Sequence, residues 1–251
     1  NWCLDCGSAL AEAEVEHEDK VSPAIDVAFP VHENHAEKLA TAFGLSHLRG
    51  PAFAVIWTTT PWTLPANEAV SVHPELTYDL VETEKGALIL VRELVEACLK
   101  RYELSGETVA SCAGSKLDQI LLRHPFQARD VAIICGTHVT TEAGTGLVHT
   151  APAHGADDFT IGKRYGLPVN NPVGNDGRFL GNTPALSVGE LAGKTVWEAN
   201  PLVLQELECC GRLLKSEKIK HSYPHCWRHK TPIIFRATTQ WFIGMEHKKD
   251  E

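Results

Sequence analysis

The 251-residue sequence has no apolar run approaching the length of a membrane span, and its first residues lack the basic and apolar layout of a signal peptide. Membrane-spanning and secreted classes are set aside, and a soluble, cytoplasmic protein is expected. Positive charge is short: 23 Lys and Arg face 32 Asp and Glu, for a net charge of −9 with His neutral. Indiscriminate nucleic-acid binding, which phosphate neutralisation drives, is thereby excluded, and any nucleic acid must be met locally. There is no internal repeat or low-complexity tract, and no Ser-His-Asp or Cys-His arrangement stands out. Asn1-Trp2-Cys3 shows neither an initiator Met nor a tail, which suggests a piece of a longer chain.

What is present is enough apolar residue, 43%, for one core plus a small appended module. Eight cysteines are too unevenly spread for a disulfide framework. Cys98, Cys112, Cys135 and the vicinal Cys209-Cys210 read as buried thiols. Basic residues gather late, at Arg212, Lys215, Lys218, Lys220, Arg228, Lys230 and Arg236, a run that a solvated strand face explains.

The central stretch is Ala54–Asn67, AVIWTTTPWTLPAN. Ala54–Trp57 reads as a buried strand, and two prolines deny the following turn a regular ladder, so hydroxyls and unpaired backbone groups collect at a strand end. Around it, strands are expected at Ala9–Val15, Ile25–Phe29, Thr108–Cys112, Leu117–Leu122, Val131–Cys135, Leu147–His149, Leu214–His221 and Ile233–Ile243. Tyr78–Glu82 and Ala87–Val91 form an expected hairpin. Helix spacing covers Asn34–Phe43, Arg92–Tyr102, Asp157–Tyr165 and Thr195–Cys210, with glycine closing three of the four. The Gly, Asn and Pro-rich loop Pro168–Pro184 is long enough to cover or bind something.

Two constellations carry chemistry. Gly144–Asp158, GTGLVHTAPAHGADD, delivers His149 from a short strand into a Pro/Gly loop that opens a helix at Asp157 and Asp158. Acids in a first helical turn serve as caps, but a carboxylate there can also hold a substrate ammonium. Cys3-x2-Cys6 and Cys226-x2-His229 have the donor types and spacing of a tetrahedral structural zinc site, with His225 a rival to His229. Zinc there would tie the chain ends together.

Trp57–Asn67, Gly144–Asp158 and His221–Phe242 (HSYPHCWRHKTPIIFRATTQWF) closely resemble the editing (CP1) domain of bacterial isoleucyl-tRNA synthetases, in the class I synthetase family. The resemblance covers essentially the whole chain. Valyl and leucyl relatives carry Arg-Pro after the first two threonines, where this chain has Thr60-Pro61-Trp62. The HIGH and KMSKS signatures of the synthetic site are absent, so this piece should not charge tRNA.

The resemblance implies hydrolysis of valine wrongly esterified to isoleucine tRNA. Thr58, Thr59, Thr60 and Asn67 would line the editing pocket and Asp158 would anchor the α-ammonium. His149, backed by Trp57, would face the substrate side chain. Zinc on Cys3, Cys6, Cys226 and His229 would be structural, with no catalytic metal. The 3′ end of the tRNA and the rest of the synthetase are the implied partners, and the isolated piece is expected to be monomeric.

Two other readings stay open: a non-catalytic, zinc-braced tRNA-contacting module, and hydrolysis of valyl-adenylate before transfer. The expected fold is mainly β with peripheral helices, an antiparallel barrel-centred editing domain over 21–211. A two-stranded ribbon made from 1–20 and 212–251 would complete it.

Overall fold

The computed structural model describes residues 1–241. In chain order the elements are β1 (Trp2–Cys3), β2 (Ser8–Ala9), β3 (Val15–Pro30), α1 (Ala36–Ala42), β4 (Ala52–Thr58), β5 (Ala69–Val72), β6 (Thr77–Thr83) and β7 (Gly86–Val91). Then follow α2 (Val95–Tyr102), β8 (Gly106–Ala113), β9 (Leu121–Arg123), β10 (Asp130–Cys135), β11 (Leu147–Thr150), α3 (Ala156–Tyr165), α4 (Val196–Cys209) and β12 (Leu213–Cys226).

The mainly β class is as expected, but the barrel does not close. A six-stranded sheet runs β12-β3-β4-β7-β6-β8 and a four-stranded one β11-β5-β10-β9. Two pairs, β4 with β7 and β5 with β10, are parallel, because each has crossing chain between its members instead of a tight hairpin turn. The sheets share one core. Tyr78 on β6, fully buried, donates its hydroxyl to the Gly146 carbonyl at 2.7 Å and accepts from the His73 N–H at 2.8 Å, joining the two. Phe29, Ile56, Leu64 and Ile89 are also fully buried there, each contributing roughly 1.5–3 kcal/mol.

β3 and β12 pair in unbroken register from Val15/Cys226 to Asp26/Lys215, where a bulge precedes the last pair, Val27 with Leu213. The outer half of β3 is wet, and from Ala24 to Phe29 it is buried. The ribbon is therefore the sheet's own first two strands projecting beyond the core.

Four expectations fail locally. Leu117–Leu122 is mostly turn, and only Leu121–Arg123 is strand there. Ala9–Val15 is no strand: Glu12–Glu14 is a single 3-10 turn, because the Glu14 carboxylate accepts the Ala11 N–H at 2.9 Å and nothing apolar there needs a sheet. Over the described part of Ile233–Ile243 there is no strand: Ile234 makes one isolated bridge, to Trp2, and Ala237 turns away to donate its N–H to Ala153; Phe242 and Ile243 lie outside the described residues. Cys209 and Cys210 are exposed, since α4 ends there at the surface.

Three of the seven residues of the basic run are ion-paired, Lys215 with Glu103 and Lys220 with Asp19 at 2.7 and 2.8 Å and Lys230 with Glu16. Among the described residues no helix is long and apolar enough to cross a membrane.

Candidate active site

β4 stops at Thr58, and Pro61 starts a six-residue 3-10 turn, Pro61–Ala66, where its missing N–H costs nothing. Thr58 Oγ1 accepts the Thr60 N–H at 3.1 Å, folding the threonines back on the strand end. The turn brings Thr63 round so that its N–H and its hydroxyl both donate to the Thr60 carbonyl, at 3.0 and 2.8 Å.

β11 pairs with β5, the strand that follows this turn, and so carries His149 to it. Both ring nitrogens are spent: Nδ1 is 2.9 Å from Asn67 Nδ2, and Nε2 is 2.7 Å from Thr63 Oγ1. The Asn67 amide must donate, because its nitrogen also contacts the Ala69 carbonyl at 2.7 Å. Nδ1 of His149 therefore accepts, and Nε2–H donates to Thr63. Burial pushes the imidazole pKa down to about 3, so it is neutral. A ring fixed this way presents carbon edges and no free nitrogen.

Trp57, Thr58, Thr60, Thr63 and His149 line one cavity of about 210 Å³, closed on its far side by Val148, His154, Gly155 and Asp158. Asp158 sits half-buried in the first turn of α3, and Oδ2 accepts the Ala151 N–H at 2.8 Å. Burial raises its pKa from 3.8 to about 6, the Ala151 N–H opposes, and Asp157 adds to the rise. Asp157 itself is exposed. A Cβ on Gly155 would stand 2.9 Å from Asp158 Cγ and displace that carboxylate.

Thr59 faces a neighbouring cavity of about 350 Å³, which shares Trp57, Thr58 and Val148 with the first and is walled by the Gly144–Leu147 turn. Gly146 in that turn has φ +77°, and a Cβ on it would meet Val91 at 2.2 Å. The Gly144 carbonyl is held at 3.1 Å by Arg101, which forks onto the buried Asp26 at 2.6 and 3.0 Å.

Thr58, Thr60, Trp57, His149 and Asp158 thus meet in one place. Asn67 does not line the cavity as expected. It is fully buried, bonded to His149 and to the Ala69 carbonyl. Thr63 and His154 belong to the site and escaped the sequence reading. The signal for Thr63 was its three-residue step from Thr60, which a 3-10 turn places on one side.

At the chain ends, Cys3, Cys6, Cys226 and His229 bring one donor atom each to within 4.8 Å of one another. The Cys6 and Cys226 sulfurs are 3.8 Å apart, and His229 Nδ1 lies 3.7, 3.3 and 3.7 Å from Cys3, Cys6 and Cys226. Bonds of about 2.3 Å to sulfur and 2.0–2.1 Å to nitrogen give tetrahedral edges of about 3.8 and 3.6 Å, so the cluster is compatible with zinc. His225 is no rival: it is buried, and its Nδ1 lies 2.8 Å from the Tyr223 carbonyl.

The two half-sites share one backbone form. Gly7 and Lys230, each just after the second donor, have φ of 60° and 57°, and their N–H groups donate to the carbonyls of Cys3 and Cys226 at 3.0 and 2.8 Å.

A family model described as leucyl-tRNA synthetase, editing domain, matches residues 40–189. The chain is 84% identical, over all its 251 residues, to 27% of the isoleucine–tRNA ligase of Dechloromonas aromatica. It is 57% identical to that of Neisseria meningitidis serogroup C over 98% of this chain and 26% of the relative. The chain spans about a quarter of the length of these curated relatives.

A crystal structure described as GlLeuRS-CP1 shares the fold at a TM-score of 0.60 and 14% identity, covering 77% of this chain and 98% of its own. The editing domain of the P. knowlesi cytosolic leucyl-tRNA synthetase does so at 0.52 and 11%, covering 81% and 97%. The chain belongs to the CP1 editing domains of the class I aminoacyl-tRNA synthetases and corresponds to that segment of the isoleucine–tRNA ligases.

Proposed function

We propose that the cavity hydrolyses valine wrongly esterified to isoleucine tRNA. The observation that carries this reading is the pairing, inside one cavity of about 210 Å³, of a carboxylate with an imidazole, His149, that has no free nitrogen. Asp158 holds the α-ammonium and fixes the depth of entry, while the His149 ring limits the side chain that fits.

Such a second sieve answers a general limit. One methylene changes binding in an apolar pocket by only about 1–3 kcal/mol, the isoleucine enzyme being the standing example of that limit. A pocket too short for isoleucine converts this weak preference into exclusion.

The ester is already activated, so positioning and charge stabilisation suffice. The Thr58 and Thr60 hydroxyls hold polar groups of the ester, and N–H groups of the Gly144–Leu147 turn face the developing oxyanion. The neighbouring cavity beside Thr59 receives the terminal nucleoside of the tRNA. Zinc bound by Cys3, Cys6, Cys226 and His229 would fasten the ribbon, outside the cavity, and the rest of the synthetase would supply most of the grip on tRNA.

The test is hydrolysis of valyl- and isoleucyl-tRNA(Ile) by this chain, alongside a valyl-adenylate mimic. Release of valine from the tRNA ester with sparing of isoleucine supports the reading. Hydrolysis of the adenylate mimic alone would move the activity ahead of transfer, and inertness towards all three would leave a non-catalytic module.

A further inference from the structure

The loop between β11 and α3 carries a second imidazole for which the scheme above has no task. His154 is 8% exposed, and its Nδ1 stands 3.0 Å from the Phe235 carbonyl oxygen. A carbonyl only accepts, so Nδ1 carries the proton and Nε2 a lone pair. That Nε2 is buried without a hydrogen-bond partner, on a ring lining the same cavity as Thr58, Thr60 and Asp158. Buried polar atoms are seldom left unpaired, and one in a ligand cavity marks a bond that a ligand or its water makes. His149 is the opposite case, with both nitrogens occupied.

The ring is held from several sides. Trp62 meets it edge-on at 5.0 Å between centroids. The neighbouring Ala153 carbonyl accepts the Ala237 N–H at 2.7 Å, so the loop is clipped twice to the segment that carries Phe235. A fixed tautomer that leaves an unpaired lone pair on a ring lining a small polar cavity is what a base needs.

Resting on the editing reading, we propose that His154 Nε2 is the general base of the deacylation. It accepts a hydrogen bond from the attacking water. As the water oxygen bonds to the ester carbonyl carbon, its proton moves to Nε2. The imidazolium then returns that proton to the ribose oxygen as the ester C–O bond breaks, leaving the free amino acid and the terminal hydroxyl of the tRNA. Burial, with Arg236 assisting, lowers the pKa to about 4, against the pull of the Phe235 carbonyl. The ring therefore rests neutral and ready to accept, and the oxyanion formed in the step favours its transient charge.

The experiment uses the 251-residue chain, valyl-tRNA(Ile), and a non-hydrolysable valyl-adenosine amide. His154→Asn keeps a donor for Phe235 and removes Nε2. Its kcat should fall about 100-fold, with KM and affinity for the amide unchanged. His154→Ala should regain rate with added imidazoles, increasingly so with the more basic ones. A parental kcat in His154→Asn overturns the proposal, as does an affinity loss that matches the rate loss, or a His154→Ala rate indifferent to every imidazole. If the parent chain itself neither hydrolyses the ester nor binds the amide, the editing reading falls first. Failure of the variants beside an active parent removes only His154.

Discussion

Replacing Asp158 with Asn should make the chain more stable and less active at once. The carboxyl is half-buried in the first turn of α3, accepts one N–H from Ala151 at 2.8 Å, and has its pKa raised from 3.8 to about 6, chiefly by burial. A raised carboxylate pKa means that ionisation opposes folding. The penalty is absent below about pH 4, grows between pH 4 and 6, and is complete above 6. Two pH units at about 1.4 kcal/mol each set its upper bound near 3 kcal/mol.

Asn keeps an acceptor for Ala151 and carries no charge. It should therefore gain about 1–3 kcal/mol at pH 7.5 and nothing at pH 4, or a few degrees of melting temperature for a chain of this size. The same change removes the partner of the substrate ammonium. A charge-assisted hydrogen bond is worth about 1.5–3 kcal/mol, so kcat/KM for valyl-tRNA(Ile) should drop roughly 10- to 150-fold. In the parent, kcat/KM should fall below about pH 6, where the free enzyme's carboxyl is protonated. Urea unfolding at the two pH values and initial deacylation rates give both numbers. An Asn variant that deacylates like the parent, or that is equally stabilised at pH 4 and 7.5, refutes the reasoning.

His149→Ala removes far more volume than the single methylene, worth about 0.8 kcal/mol, that separates isoleucine from valine. The variant should begin to hydrolyse isoleucyl-tRNA(Ile), at least about 10-fold above the parent, and continued sparing of that ester takes His149 out of the sieve. Arg101→Met strands Asp26, which is 1% exposed, and removes a donor from the Gly144 carbonyl. It should cost about 3–5 kcal/mol in urea unfolding, and a loss under 1 kcal/mol would show that the pair is not needed. Elemental analysis should find one zinc per chain, and chelation or Cys226→Ser should speed hydrogen exchange at Trp2–Ala9 and Cys226–Ile234 while sparing β4. Metal-free protein with unchanged exchange at those segments argues against zinc in the cluster.

Much of the fold was legible because its elements announce themselves locally. α4 is bracketed by a Thr195/Glu198 capping box and a glycine, and the Tyr78–Val91 hairpin by alternation and a Lys-Gly turn; in each case the local preference and the tertiary demand agree. Spacing between strands said nothing of which strands would meet. Barrel-like intervals in the sequence fit equally well the two open sheets observed, because parallel pairing of β4 with β7 is settled by crossing paths and not by any residue in either strand. Ala9–Val15 alternates as a strand should, yet a carboxylate three residues along offers its backbone a cheaper partner.

At the site, sequence reasoning named residues by type, whereas the structure divides them by which atoms remain free. His149 and His154 look alike in the motif, five residues apart, one on β11 and one in the loop after it, and the more prominent of the two proves to have no nitrogen left for a substrate. The difference comes from partners remote in sequence, Asn67 and Thr63 for one, the Phe235 carbonyl for the other. Because that carbonyl belongs to the segment hydrogen-bonded to Trp2 through Ile234, the tautomer of a cavity residue and the ribbon with the four-donor cluster share one stretch of backbone. Loosening the ribbon should then act on the rate of hydrolysis through the orientation of His154, before it reaches the carboxylate that holds the amine, whose support from Ala151 lies within its own loop. Metal removal should accordingly lower kcat more than it raises KM, and an equal effect on both would place the cluster's influence elsewhere.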